Sequence, residues 1–315
     1  MKNDYLYSTV HEKVDDLKIE SDSTYIYGYS VEDRSHIVDE LISRVGNGVN
    51  FVRLQWVDKE SIKDCNTNEV YFLRSSNSVQ KLLLSRGNNN IYVDVTGLDN
   101  RICAALIKSS MECYNLNKVA NVSVVYAEPS TYNIKQFKAE SVFNDLSEKI
   151  EGIEPLPGFA TIFPEDDNDI SLVALLGFEG GRFIHMLESV QAPRENVIPV
   201  IGLPGFRLEY PYVAYWGNRR PLEDTDTWRK VKFASANSLV DIYMMLAKMI
   251  KKSPNQRIKL APIGTKPHAI GAMLIALKFP RNIELVYDNP KRKLQRTEGV
   301  GNIIECLVSK LITEN

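Results

Sequence analysis

Histidine and cysteine are scarce, at four each in 315 residues. Cys65, Cys103, Cys113 and Cys306 form no CxxC pair and keep no regular spacing with histidine, which argues against both a zinc site and a disulfide framework. A strong charge of either sign is also missing. The net charge of -2 supplies no global attraction for nucleic acid. No run of about 18 apolar residues occurs, and the opening "MKNDYLYSTVHEKVDDLKIESDS" lacks an apolar signal core. A cytoplasmic protein without a membrane partner is the resulting expectation. The chain has no HExxH, GxSxG, GxGxxG or GxxxxGK[ST] pattern, so the sequence calls for no metal and no cofactor.

What is present is alternation. Apolar bursts of strand length trade places with helix-period stretches along most of the chain, against a background of 44% hydrophobic and 25% charged residues. Strands are expected at 24–30, 50–55, 91–97 and 122–129, and again at 170–177, 197–202, 257–264 and 283–290. Helices fall between them. The repetition extends to residues: "GYSVEDR" (28–34) matches "GFEGGR" (177–182), "VDVTGLDNR" (93–101) matches "LAPIGTKPH" (260–268), and "VYAEP" (125–129) matches "VYDNP" (286–290).

Strand–helix–strand order calls for right-handed crossovers and hence parallel sheets. The expectation is an α/β fold of two tandem Rossmann-like lobes with mainly parallel sheets, produced by internal duplication. The lobes would span 1–145 and 170–315, joined by a linker at 146–169, and the segment 138–169 reads as a linking helix followed by a Pro/Gly-containing connector. The aromatic, turn-rich stretch 209–230 would be an insertion overhanging the carboxyl edge of the second sheet.

In such sheets, ligands bind outside the carboxyl ends of the strands. That directs attention to the turns carrying Glu32, Arg34, Thr96, Gly97 and Arg101 in the first lobe, and Glu179, Arg182, Gly264, Thr265 and Lys266 in the second. Helix N-termini there attract phosphate, glycine lets a ligand approach the backbone, and arginine forks around anionic oxygens. The same glycines serve as plain turn residues in many proteins, and the glutamates as helix caps. Pro267 in a first helical turn places Lys266 at the positive end of a helix dipole, an unfavourable spot for a cation unless an anion is near. Chemistry in a cleft between the lobes would fall to His268 with Glu179 or Asp288 as its carboxylate partner. The basic run Lys291, Arg292, Lys293 and Arg296 reads as a solvated loop.

The duplicated "VDVTG…VVYAEP" and "LAPIGTKP…LVYDNP" units resemble the CARF-like sensor domains of prokaryotic defence systems. The resemblance covers about residues 24 to 300 at the level of architecture. It implies that Gly264, Thr265 and Lys266 contact a ligand. With no recognisable winged-helix or nuclease domain after the lobes, it further implies a sensor that acts through a protein partner from the same system. The function so implied is binding of a nucleotide or other phosphorylated small molecule in antiviral defence. Two alternatives stand beside it: a hydrolase or lyase acting on a nucleotide, and a protein-binding scaffold subunit.

Overall fold

A computed structural model describes residues 7–87, 89–133, 146–161, 170–293 and 296–314. The protein is mixed α/β and divides into two compact units. The first comprises the chain up to Asn133 together with the residues from 294 onward; the second comprises the residues from 134 to Lys293.

The first unit is built on β1 (Ser8–His11), β2 (Ser23–Tyr27), β3 (Val49–Trp56), β4 (Ser61–Asp64), β5 (Val70–Phe72), β6 (Asn90–Asp94), β7 (Asn121–Ala127) and the short β8 (Thr131–Tyr132). The second contains β9 (Ser147–Ile150), β10 (Glu154–Pro155), β11 (Ile170–Leu176), β12 (Val197–Gly202), β13 (Lys232–Ala234), β14 (Arg257–Pro262), β15 (Ile283–Tyr287) and β16 (Pro290–Arg292). The chain then returns to the first unit with β17 (Thr297–Glu298) and β18 (Ile303–Leu307).

One sheet runs β1-β18-β7-β6-β2-β3-β4-β5 and the other β10-β15-β14-β11-β12-β13. Their parallel cores, β7-β6-β2-β3 and β15-β14-β11-β12, share one strand order. In each, the chain steps to one side after the first strand and to the other side for the third, which creates a topological switch point between β2 and β6 and another between β11 and β14. The central strands are buried on both faces: all five residues of β2, β6 and β15 are buried, as are six of seven in β11. Helices cover the faces: α1 (Ile37–Arg44), α2 (Ser76–Leu84) and α3 (Asn100–Asn115) in the first unit, and α4 (Gly180–Val190), α5 (Tyr210–Gly217), α6 (Arg219–Asp224), α7 (Leu239–Lys252) and α8 (Lys266–Lys278) in the second. A last helix, α9 (Val308–Glu314), follows β18.

The glycines that end the matching strands pack on each other. A Cβ at Gly97 would lie 1.9 Å from the Gly28 carbonyl oxygen, and one at Gly264 would lie 2.6 Å from that of Leu176, next to Gly177. Gly271 plays a different part, since a Cβ there would lie 2.3 Å from Ile242; its absence lets α8 sink against α7.

Two sequence expectations need correction. The helix expected to open the segment 138–169 begins in 138–145, which, like 162–169, lies outside the described residues; where the segment is described it forms β9 and β10 instead of helix. The second lobe does not run to residue 315 either. After β7 and β8 the chain leaves to form β9, which pairs with β16, and β10, which lies antiparallel against β15. After β15 and β16 it returns to form β17, which pairs with β8, and β18, which lies antiparallel against β7. Each half therefore lends the other its closing strand. The physical gain is the same in both: an otherwise open edge of a parallel sheet receives a partner.

Candidate functional site

The residues singled out in the sequence all lie at the carboxyl ends of the parallel strands, within their own units. Most of their side chains are engaged within the unit that carries them.

In the first unit, Glu32 is buried and saturated. Arg34 Nε donates to Glu32 Oε2 at 2.7 Å, and Arg296 Nε lies 2.5 Å from Oε1. Burial alone would raise the acid's pKa, but the two guanidinium groups outweigh it and bring it down to about 2. Arg34 itself is buried, donates to the Ala127 carbonyl at 2.8 Å and lies over the Tyr126 ring. Thr96 is likewise structural: its N–H donates to Asp94 Oδ1 at 2.9 Å, and its hydroxyl oxygen accepts from Ala127 N–H at 2.9 Å. Arg101 pairs with Glu60 at 3.2 Å and lies over Trp56. These side chains hold the unit together rather than waiting for phosphate oxygens.

The second unit repeats part of the arrangement. Arg182 is buried and lies over Tyr287, as Arg34 lies over Tyr126, but it donates to the Ile263 carbonyl at 2.6 Å, on a different strand end from the one Arg34 uses. Its main carboxylate partner, however, is Asp288, which it grips with two hydrogen bonds of 2.7 and 2.6 Å. The position matching Asp288 in the first unit is Ala127. With Arg182 drawn off, Glu179 has only looser partners: Arg182 and Arg292, each 3.7 Å from the carboxylate, and the Ser147 hydroxyl at 3.2 Å. Its Oε1 is buried and makes no hydrogen bond.

Beside this turn, across the switch point, is the N-terminus of α8. Thr265 is the N-cap; its hydroxyl accepts from His268 N–H at 3.4 Å and donates to the Ala236 carbonyl at 2.8 Å. Lys266 and Pro267 open the helix, and Gly264, Thr265 and Lys266 are all partly exposed. The matching helix, α3, is capped by Asp99, whose carboxylate accepts from Arg101 N–H at 2.8 Å. A fixed negative charge thus sits at the α3 dipole, whereas α8 has a neutral cap and a lysine.

The three catalytic candidates are not assembled. Asp288 is fully buried in its ion pair with Arg182, and the His268 Nε2–H donates to the Ser235 carbonyl at 3.0 Å. Burial pushes the imidazole pKa down to about 4, only partly offset by that hydrogen bond, so the ring is neutral and Nδ1 makes no hydrogen bond. Neither Glu179 nor Asp288 hydrogen-bonds to it.

Reading the sequence missed Arg292 and Arg296. Both belong to the run taken for a solvated loop, yet each neutralises the glutamate of a strand-to-helix turn. Among the described residues, no group of three or more histidine, cysteine, aspartate or glutamate side chains is placed to hold a metal ion, and no helix is long and apolar enough to cross a membrane.

No protein-family model matches the sequence, and no curated protein matches it. Among solved structures the chain is similar to a GDP-L-fucose synthetase from Naegleria fowleri, at 9% identity over 92% of this chain and 89% of that one, with a TM-score of 0.23. A likeness at that score carries no argument. The α/β reading rests instead on the sheets described above.

Proposed function

We propose that the second unit binds a nucleotide or a similar phosphorylated small molecule at the carboxyl edge of its sheet, between the Gly177–Arg182 turn and the N-terminus of α8. The observation that carries this reading is the difference between the two helix caps. An acid at the α3 terminus repels a further anion, while Thr265 and Lys266 leave the α8 dipole suited to one. The unpartnered Glu179 Oε1 adds an acceptor for a donor on the same ligand, such as a sugar hydroxyl or a base amino group. A molecule with a phosphate at one end and donors at the other satisfies both. Because His268 is fully buried and Asp288 is held by Arg182, binding rather than turnover is the role these groups support. The wider reading is of a cytoplasmic, CARF-like sensor that reports its ligand to a protein partner in antiviral defence.

The test is mass spectrometry of small molecules released from the native protein, followed by calorimetric titration with nucleoside mono-, di- and triphosphates and short oligonucleotides. Lys266→Ala removes a charge-assisted hydrogen bond of roughly 1.5–3 kcal/mol, and the affinity falls by about tenfold to a hundredfold. Arg101→Ala, in the first unit, leaves affinity unchanged. Equal affinities for wild type and Lys266→Ala would refute the site.

A further inference from the structure

Seven of the sixteen exposed large apolar side chains among the described residues fall between Leu203 and Phe233. The centre of this group is α5. Its buried face is Tyr210, Pro211, Val213 and Ala214, while Tyr212, Tyr215 and Trp216, at helical spacing i, i+3 and i+4, share the outer face with Leu208 just ahead of them. Leu208 is 90% exposed, Tyr212 75%, Trp216 44% and Tyr215 39%. Isolated exposed apolar residues are ordinary, but a contiguous stripe marks an interaction surface.

The stripe is held rigidly. Asn218 Nδ2, just past the end of α5, donates to the Gly177 and Ala214 carbonyls, both at 2.7 Å, and Tyr210 packs edge-on against Phe178. A Cβ at Gly217 would lie 2.2 Å from the Phe178 carbonyl oxygen, so the helix end presses directly on that turn.

The surrounding charge says what fits the stripe. Arg207 pairs with Glu209 at 3.9 Å, Arg219 with Glu223 at 2.8 Å, Arg220 with Asp224 at 3.7 Å and Arg229 with Asp226 at 3.8 Å. Every arginine of the segment is paired with an acid of the same segment, and of its two lysines, both beyond α5 and α6, Lys230 donates to the Glu195 carbonyl at 2.8 Å. A polyanion or an anionic lipid surface gains little from such a face. In a two-fold contact a patch meets its own copy, so a patch of one sign repels itself, whereas one with paired charges does not. At ~200 Å² for a fully exposed large side chain, the four exposures leave on the order of 500 Å² per copy, and two copies reach the ~1,000 Å² that a specific interface needs.

We infer that the α5 face, centred on Tyr212 and Trp216, is a homodimer interface at which the protein pairs with a second copy of itself. This is independent of the ligand reading. Sedimentation velocity of the full chain from about 1 to 200 μM tests it. The wild type shifts from monomer towards dimer mass over that range, and Trp216→Ala weakens the association by roughly 30-fold or more, as expected for an interface hot spot. Leu208→Lys/Tyr212→Lys and Leu208→Glu/Tyr212→Glu are each monomeric with unchanged thermal melts, and mixing the two restores dimer mass through opposite charges. Phe72→Ser, at the exposed edge of the other unit, changes nothing. A wild type that stays monomeric at every concentration overturns the proposal, as does a dimer that survives both double substitutions.

Discussion

Glu32 and Glu179 occupy matching turns in two units of the same strand order, yet one has both oxygens bound by arginine and the other has a buried oxygen with no hydrogen bond. The difference has two sources: Arg296 lies 2.5 Å from Glu32 Oε1 whereas Arg292 stays 3.7 Å from Glu179, and one matching position differs. Where the first unit has Ala127, the second has Asp288, and this acid captures the arginine that would otherwise serve the glutamate. The helix caps differ in the same sense, with a carboxylate on α3 and a hydroxyl on α8. At this turn the first unit satisfies both oxygens of its glutamate, while the second leaves one oxygen without a hydrogen bond. The same topology therefore carries two different polar arrangements at matching turns, and the proposed binding site rests on that difference.

The largest effect that can break this comparison comes from removing the two arginines. Arg182→Met leaves Asp288 charged, fully buried and without its partner, and loss of one member of a buried pair costs about 3–5 kcal/mol. Arg34→Met leaves Glu32 still paired with Arg296, so the loss is nearer to that of a charged hydrogen bond plus an unmet carbonyl, about 1–3 kcal/mol. Denaturant midpoints measure both. Equal losses would show that Glu32 and Asp288 depend equally on their arginines, contrary to the geometry.

Acid separates the units next, by pH range. His268 is held near pKa 4 against 6.5 for the free side chain, so as pH falls below 6.5 the unfolded chain takes up a proton that the folded one refuses. Its contribution is fully present above pH 6.5 and shrinks by roughly 3 kcal/mol down to pH 4. Glu32, held near 2 against 4.5, contributes a similar amount that is intact above pH 4.5 and is lost towards pH 2. Unfolding free energies measured across pH 7 to 3 should fall in the upper range in the wild type and flatten there in His268→Gln. A wild type with no slope between pH 6.5 and 4.5 would contradict the buried neutral imidazole.

How much of this was readable from the chain depends on the range of the interaction involved. Buried parallel strands are near-continuous apolar runs, so β11, β12 and β14 stand out in sequence. The exchange of closing strands does not stand out, because β9, β10 and β17 are two to four residues long and each is defined only by a distant partner. The stretch 209–230 looked turn-rich on account of Pro211, Gly217 and Pro221, yet both prolines sit in opening helical turns, where proline is welcome. At the site, the turns were placed correctly and the arginines were misjudged. Glu32 and Arg34 are opposite charges on one turn, and that proximity is itself the sign that they pair; Arg182 pairs instead with the distant Asp288, which its own turn does not reveal.

The smallest change in stability tests the comparison most finely. Thr265→Asp gives α8 the kind of cap that α3 already has. A carboxylate at an N-cap gains up to about 1 kcal/mol from the dipole and the free N–H groups. It also forfeits the Thr265 hydroxyl donation to Ala236, which is worth about 1 kcal/mol. Stability should therefore move by less than about 1 kcal/mol in either direction. Anion binding should not be spared, because the new charge occupies the place a phosphate would take, and a repulsion of only ~1.4 kcal/mol is already a tenfold loss. The reverse change, Asp99→Thr, should create no anion site, since the first helical residue is Asn100 in α3 and Lys266 in α8. Calorimetric titration of both variants with the nucleotide that the wild type retains, beside their thermal melts, separates cap from ligand. Undiminished affinity in Thr265→Asp would mean that the α8 terminus is not where the anion binds, and that the open cap is a difference of construction between the units without a functional consequence.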